Sequence, residues 1–229
     1  MTTWAVIVAA GSGDRLAADR PKAFVGLAGR PLLAESLERL DRSEWVDAII
    51  VAAPEGWEEP AILLAEEVGA GTVAQAVTGG RSRAESVRLC VAEVPAEAAA
   101  VLVHDAARPL LPAEVIERVL APLGEGWDGV VPALPVADTI KRVESDVVSE
   151  TVSRDGLLAV QTPQAFAADT LRAALTGDIH LASDCASLVE AQGGRVKAVE
   201  GDPRLLKVTT AQDLLAVEAM LAQEREPET

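Results

Sequence analysis

Ala5-Val-Ile-Val8 runs straight into Ala9-Ala-Gly-Ser-Gly-Asp-Arg15, and Arg20-Pro-Lys22 follows a few residues later. A continuous apolar, β-branched run that ends in glycine suits a strand buried on both faces. The segment after it reads as a strand-to-helix turn that can cradle phosphate. Glycines let backbone N–H groups approach anionic oxygens, and the next helix N-terminus adds partial positive charge. Gly11 and Gly13 alone fit an ordinary turn equally well. Arg15 and Lys22 favour the phosphate reading, because they sit beside the loop in a chain short of positive charge. The spacing is neither that of a dinucleotide loop nor that of a P-loop.

The same rhythm continues along the chain. Ala48–Val51, Thr72–Val73, Ala100–Val103, Val130–Val131 and Val196–Val199 read as further strands. Between and after them, helical patterns span about 31–41, 55–69, 82–93, 112–123, 168–176, 183–191 and 210–224. Strands alternating with helices imply crossover connections and a mostly parallel sheet. One segment, about 136–160, breaks this order. Thr139–Val143 and Val147–Val152 read as two strands joined by Glu144-Ser145-Asp146, a hairpin standing apart from the main sheet. A lone hairpin is marginal in water, so a second subunit is its expected support. Residues 1–225 are expected to form one domain and 226–229 a disordered tail.

The formal charge of −16 over 229 residues excludes nonspecific nucleic-acid binding and disfavours anionic membrane surfaces. Any site for anionic substrates must then be a local basic patch on an acidic body. Only two phenylalanines and no tyrosine are available for base stacking. Cys90 and Cys185 form no CxxC pair, so neither a zinc site nor a disulfide framework is expected, and a reducing compartment fits. With no signal-like leader and no apolar run of membrane-spanning length, a cytoplasmic protein is expected.

Further stretches carry candidate chemistry. Thr78-Gly-Gly-Arg-Ser-Arg83, with Ser86, follows a strand and opens a helix. Its glycines permit close approach to a base edge, while Ser82 equally suits a helix cap. Val103-His-Asp-Ala-Ala-Arg-Pro109 lies at the carboxyl end of a strand, where ligands bind in open α/β sheets. There Asp105 reads as a metal ligand or substrate-orienting carboxylate, with a structural bridge to Arg108 as the alternative. His104 reads as a buried, hydrogen-bonded histidine ahead of a general base. Thr139, Arg154 and Thr162 can bind a phosphate and hydroxyls, although an edge-strand threonine is usually structural and spacing alone does not single out Thr139. Lys207, in an apolar strand, is either a stem lying over apolar surface with its amine in water or a third cation aimed into the site.

Taken together, these stretches resemble the 2-C-methyl-D-erythritol 4-phosphate cytidylyltransferase family. The residues carrying the resemblance are Ala9, Ala10, Gly11, Gly13, Arg15, Pro21-Lys22, Gly79-Gly80, Arg83 and Ser86. They continue in order with His104–Pro109, Asp138-Thr139, Arg154, Thr162–Gln164 and Lys207–Thr209. The resemblance implies a Rossmann-like three-layer α/β sandwich and a homodimer interlocked through the hairpin arms. It implies CTP held by the glycine loop, with Gly80 and Ser86 at the cytosine and Ala106 near the ribose. It also implies Mg²⁺ on the phosphates near Asp105, and an acceptor phosphate recognised partly by Thr139 and Arg154 of the partner subunit. Ser183-Asp-Cys185 departs from the family pattern, since Cys185 stands where an acidic residue is usual. Arg81 likewise stands where an acidic residue is frequent.

The expected chemistry is transfer of the cytidylyl group to a sugar-alcohol phosphate, with Arg15 and Lys22 on the triphosphate and Lys207 on the α-phosphate. Ribitol-5-phosphate cytidylyltransferase is the nearest rival. A sugar-nucleotide pyrophosphorylase and a noncatalytic nucleotide-binding module are more distant ones.

Overall fold

The computed structural model describes residues 2–11, 13, 20–180 and 182–225. Its centre is β1 (Thr3–Val8), which pairs in parallel with β4 (Ala48–Ala53) on one side and β6 (Ala100–Asp105) on the other. Outside β4 lies the parallel strand β5 (Val73–Thr78). Outside β6 lies the antiparallel β11 (Gln164–Ala167), then β7 (Gly129–Pro135), which also pairs with β10 (Leu158–Val160) and β12 (Val196–Glu200). The strand order is β10-β7-β11-β6-β1-β4-β5, with β12 parallel to β7.

Alternate residues of the strands feed two separate cores, as a two-residue period requires. Ala5, Ile7, Ile49, Val51 and Leu102 pack with α1 (Leu32–Asp41), α2 (Glu58–Glu67) and α4 (Ala113–Leu120). Val6, Ile50, Val101, Val103 and Phe166 pack on the other face with α3 (Arg83–Glu93), α5 (Ala168–Leu175) and α6 (Cys185–Ala191). The result is the expected Rossmann-like three-layer sandwich. A third, smaller core joins Leu27 of β2 (Gly26–Leu27), Leu32, Leu110, Val208, and Val217 and Leu221 of α7 (Ala211–Arg225). β2 pairs with β3 (Arg30–Pro31) in a short ribbon beside α7.

The connections create the binding crevice. From β1 the chain moves outward through α1 to β4 and through α2 to β5, then returns through α3 to place β6 on the opposite side of β1. The helices change face at that reversal. The carboxyl ends of β1 and β6 therefore flank a topological switch point, where an open α/β sheet leaves room for a ligand.

The hairpin stands apart as expected. β8 (Ile140–Glu144) and β9 (Val147–Val152) pair only with each other among the described residues. The turn is one residue tighter than its sequence suggests: Ser145 and Asp146 both have positive φ, the geometry of a two-residue hairpin loop. Helix ends differ for local reasons. Gly56 and Gly69, both at positive φ, bound α2 within the expected 55–69 span, and Asp184 caps α6 so that it starts at Cys185. β5 runs on to Thr78 through Ala74-Gln75-Ala76, a composition tolerated at a sheet edge. β10 and β11 were not anticipated: Gln164–Ala167 has no β-branched residue and leads directly into α5. No helix among the described residues is long and apolar enough to cross a membrane.

Phe166 is fully buried on β11 and fits against Gly129, where an added Cβ would lie 2.8 Å from its ring. Phe166→Ala is expected to lower the unfolding free energy by about 3–5 kcal/mol, read as a lower urea midpoint at unchanged slope.

Candidate active site

A cleft of about 490 Å³ opens at the switch point. Its floor is set by strand register: Val8 pairs with Asp105, and the Ala106 N–H donates to the Val8 carbonyl at 3.1 Å. Ala9, Ala10, Gly11, Gly13 and Lys22 line one wall, Gly80, Arg83 and Ser86 another, and Asp105, Ala106, Ala107 and Lys207 the base. Ten of the residues proposed from sequence thus converge on one cleft, although they span most of the chain.

Two glycine positions are dictated by close approach. A Cβ on Gly79 would lie 2.2 Å from the Ala10 Cβ, so the β1 loop and the β5–α3 loop touch there. Gly13 has φ of 76°, and its Cβ would lie 2.7 Å from that of Lys22. Lys22 begins a single 3₁₀ turn, Lys22–Phe24, which is fixed by buried Phe24 packing on Trp57 with ring centroids 4.4 Å apart.

The Ser82 hydroxyl accepts from the Glu85 N–H at 3.1 Å, so the capping role anticipated for it is realised. Ser86 Oγ donates to the Ser82 carbonyl at 2.9 Å and accepts from the Gly80 N–H at 3.0 Å. In this state the Ser86 hydroxyl braces the glycine turn.

Asp105 is the one carboxylate lining the cleft among the described residues. Arg83 Nε donates to its Oδ1 at 2.8 Å and Lys207 Nζ to its Oδ2 at 2.7 Å. Burial alone would raise this carboxyl, but the two cations outweigh it and hold it well below the usual carboxylate range. The alternative bridge to Arg108 is not formed. The Arg108 guanidinium donates to the Leu205 carbonyl at 2.5 Å. Lys207 is the cation aimed into the site, since its ammonium meets Asp105 while Val208 fills the third core. Arg83, matched within its motif but given no role there, is the residue that sequence reasoning missed. The available signal was its position in the first turn of the helix after the glycine loop.

Below the floor runs a buried relay. The Asp105 N–H donates to Thr162 Oγ1 at 3.1 Å, and the Thr162 hydroxyl donates to His104 Nδ1 at 3.2 Å. His104 Nε2–H donates to the Arg108 carbonyl at 3.1 Å, which fixes the tautomer. His104 is fully buried, and desolvation pushes it down to about 4. It is the structural histidine anticipated. Thr162 is buried with it, outside the cleft lining.

Thr139 and Arg154 are exposed on and beside the arm and do not line this cleft. Arg154 donates to the Ala137 carbonyl and borders a separate, open hollow with Pro135 and Leu158. Arg15 lies outside the described residues, as does the 226–229 tail. Cys185 is fully buried, with Arg83 Nη1 3.6 Å from its sulfur, and burial pushes its thiol up to about 11.

Residues 3–223 match the family model for 2-C-methyl-D-erythritol 4-phosphate cytidylyltransferase. The chain belongs to that family. It is 47% identical over 97% of its length to the cytidylyltransferase of that name from Saccharopolyspora erythraea, covering all of that protein. It is 45% identical over 95% of its length to the one from Nocardia farcinica, covering 93% of that protein. Among solved structures, a 4-diphosphocytidyl-2C-methyl-D-erythritol synthase superposes with a TM-score of 0.82 at 36% identity, covering 96% of this chain and 98% of that one. The family member from Thermus thermophilus gives 0.76 at 33% identity, covering 95% and 98%.

The relay makes stability pH-dependent. The unfolded chain protonates His104 below its ordinary value of 6.5, whereas the folded chain resists protonation until about 4. Stability therefore falls as pH drops through that window, and the His104 share levels off below it. Between pH 7 and 4.5 this share is about 2–3 kcal/mol. Urea titrations of His104→Gln at the two pH values should show the pH dependence flattened by about that amount.

Proposed function

We propose that this chain transfers the cytidylyl group of CTP to 2-C-methyl-D-erythritol 4-phosphate, giving 4-diphosphocytidyl-2-C-methyl-D-erythritol and pyrophosphate in non-mevalonate isoprenoid precursor synthesis. Family membership supports this reading. The observation that carries it is the convergence of Lys22, Arg83 and Lys207 on one cleft of a chain with net charge −16.

An oxygen of the acceptor phosphate attacks the α-phosphorus of CTP. The bond to the β-phosphate breaks, and its electron pair leaves with pyrophosphate. The acceptor phosphate is mostly dianionic at pH 7, so no general base is required, and buried His104 is not needed as one. The obstacle is bringing two anions together and stabilising the charge on the leaving group, which calls for positioned cations. Lys22, with Arg15, takes the triphosphate, and Lys207 takes the α-phosphate. Backbone N–H groups of Ala10, Gly11 and Gly13 supply further donors, while Gly80 and Ser86 border the base and Ala106 the ribose. Thr139 and Arg154 serve the acceptor, while buried Thr162 braces the floor beneath it.

The donor set bears on the implied Mg²⁺. Among the described residues no group of three His, Cys, Asp or Glu could hold a metal. The cleft fits a Mg²⁺ that arrives with the triphosphate, with Asp105 as its protein oxygen donor and phosphates and water as the rest. Such an ion would neutralise phosphate charge. Two free, buried cysteines are compatible with a reducing cytoplasm.

The arm favours a homodimer. Val143, Val147 and Val148 on the lone hairpin are 55%, 68% and 55% exposed, and Leu157, Leu158 and Val160 at its base are also exposed. A partner covering them would also carry Thr139 and Arg154 into the neighbouring cleft. Light scattering after gel filtration is expected to give twice the chain mass for the wild type and a monomer for Val147→Asp combined with Val148→Asp. A wild-type monomer would reject the dimer.

The decisive assay is pyrophosphate release with Mg²⁺, CTP and 2-C-methyl-D-erythritol 4-phosphate, run beside ribitol 5-phosphate and the other three nucleoside triphosphates. Turnover is expected only with CTP and the erythritol acceptor. Lys22→Ala should lower kcat by roughly 10²–10³-fold with the melting temperature unchanged. Near-normal turnover in that variant would remove Lys22 from the mechanism.

A further inference from the structure

The two cations on Asp105 are not equivalent. One counter-ion suffices for one buried carboxylate, yet Asp105, 5% exposed, has a different cation on each oxygen. Arg83 is the deeper of the two, with its side chain 23% exposed against 43% for Lys207. It issues from the first turn of α3, and its Nη1 is directed at buried Cys185. Its planar guanidinium stays charged under any working condition. Lys207 carries a compact ammonium with rotatable donors on a flexible stem at the cleft wall.

A phosphate entering the cleft competes with Asp105 for Lys207. The outcome depends on what Lys207 leaves behind. With Arg83 in place, Asp105 keeps a counter-ion and the ammonium is free to turn. Without that charge, Lys207 would be the sole protein counter-ion of a buried carboxylate, and low-dielectric surroundings would strongly oppose its departure. Lys207 would then be locked in a one-to-one pair.

We propose that Arg83 is a positioning residue that keeps the buried Asp105 carboxylate paired, so that Lys207 is free to swing from Asp105 onto the substrate phosphate. This rests on the cytidylyltransferase reading and on Lys207 as a phosphate ligand. Asp105 is then the shared anchor of a fixed cation and a mobile one, and the triad carries one net positive charge at the cleft floor.

The test uses the full chain with Mg²⁺, CTP and 2-C-methyl-D-erythritol 4-phosphate, and reads kcat, both KM values, equilibrium CTP binding and melting temperature. The variants are Arg83→Met, Arg83→Lys, Lys207→Met and the Arg83→Met/Lys207→Met double. Arg83→Met is expected to lower kcat by roughly 10²-fold, the scale of losing one positioned electrostatic group. The double variant should be no more than about twofold slower than Lys207→Met, because Arg83 acts through Lys207. Arg83→Lys, which keeps the charge, should recover at least about tenfold over Arg83→Met. Multiplying losses in the double variant would overturn the proposal, as would equal losses in Arg83→Lys and Arg83→Met. If Arg83→Met does not fold, the Arg83→Lys kcat decides alone: retention within about tenfold of wild type supports the proposal and a larger loss overturns it. A wild-type protein that releases no pyrophosphate would sink the cytidylyltransferase reading itself, and this inference with it.

Discussion

A carboxylate buried between two cations organises this molecule. Asp105 ends the strand beside β1, and its side chain ties α3 through Arg83 and the segment before α7 through Lys207. Residues 22 positions and 102 positions away in sequence are thereby fixed to one point. Such a cluster adds little net stability, because desolvating three charges offsets much of their attraction. Its value lies in geometry. In a chain of net charge −16, it keeps positive charge concentrated at the base of the cleft.

The fold supplies that point through its topology. β1 and β6 end together because the chain reverses direction around β1, and the reversal leaves a gap between helices on opposite faces. The third core then aligns the rest. Leu27 and Leu32 follow Lys22, Leu110 follows Asp105, and Val208 follows Lys207, and all four pack with Val217 and Leu221. Asp213 adds a capping box at the start of α7, its carboxylate accepting from Thr209 and Thr210 at 2.8 and 2.7 Å. Segments carrying the three charges thus share one small apolar contact beneath the cleft. Perturbing α7 would therefore move the segments that carry Lys22, Asp105 and Lys207.

Much of this was legible in the sequence because its signals are local. Apolar runs closed by glycine marked the parallel strands, and cations beside glycine loops marked the end of the sheet where the cleft opens. What stayed hidden was pairing. β11 is a strand by position, not by composition, since Gln164–Ala167 is extended by its neighbours β6 and β7. The partner of Asp105 was equally hidden. Arg108, three residues away, is the natural candidate by proximity, but the tight turn after β6 sends its guanidinium to Leu205 and leaves Asp105 facing Arg83 and Lys207. Thr162 reads from sequence as a substrate-facing hydroxyl, but its hydrogen bond to His104 holds it one layer below the cleft. Long-range contacts of this kind are fixed by topology and leave no spacing to read.

The arm poses the remaining physical problem, and its two oddities have one solution. A two-stranded hairpin with exposed valines gains too little burial to justify its order alone. The single-chain cleft, meanwhile, holds groups suited to a nucleoside triphosphate, while Thr139 and Arg154 lie on and beside the arm, away from it. A second copy seated on the arm resolves both. It would cover Val143, Val147 and Val148, and it would bring a further cation and hydroxyl beside those already lining the cleft. Binding of the second substrate would then depend on assembly, so that a monomer could hold the nucleotide yet lack part of what secures the acceptor. Such a division would leave the charges on Asp105 to one chain. They must be in place before either reactant arrives, whereas acceptor contacts can be lent by a neighbour.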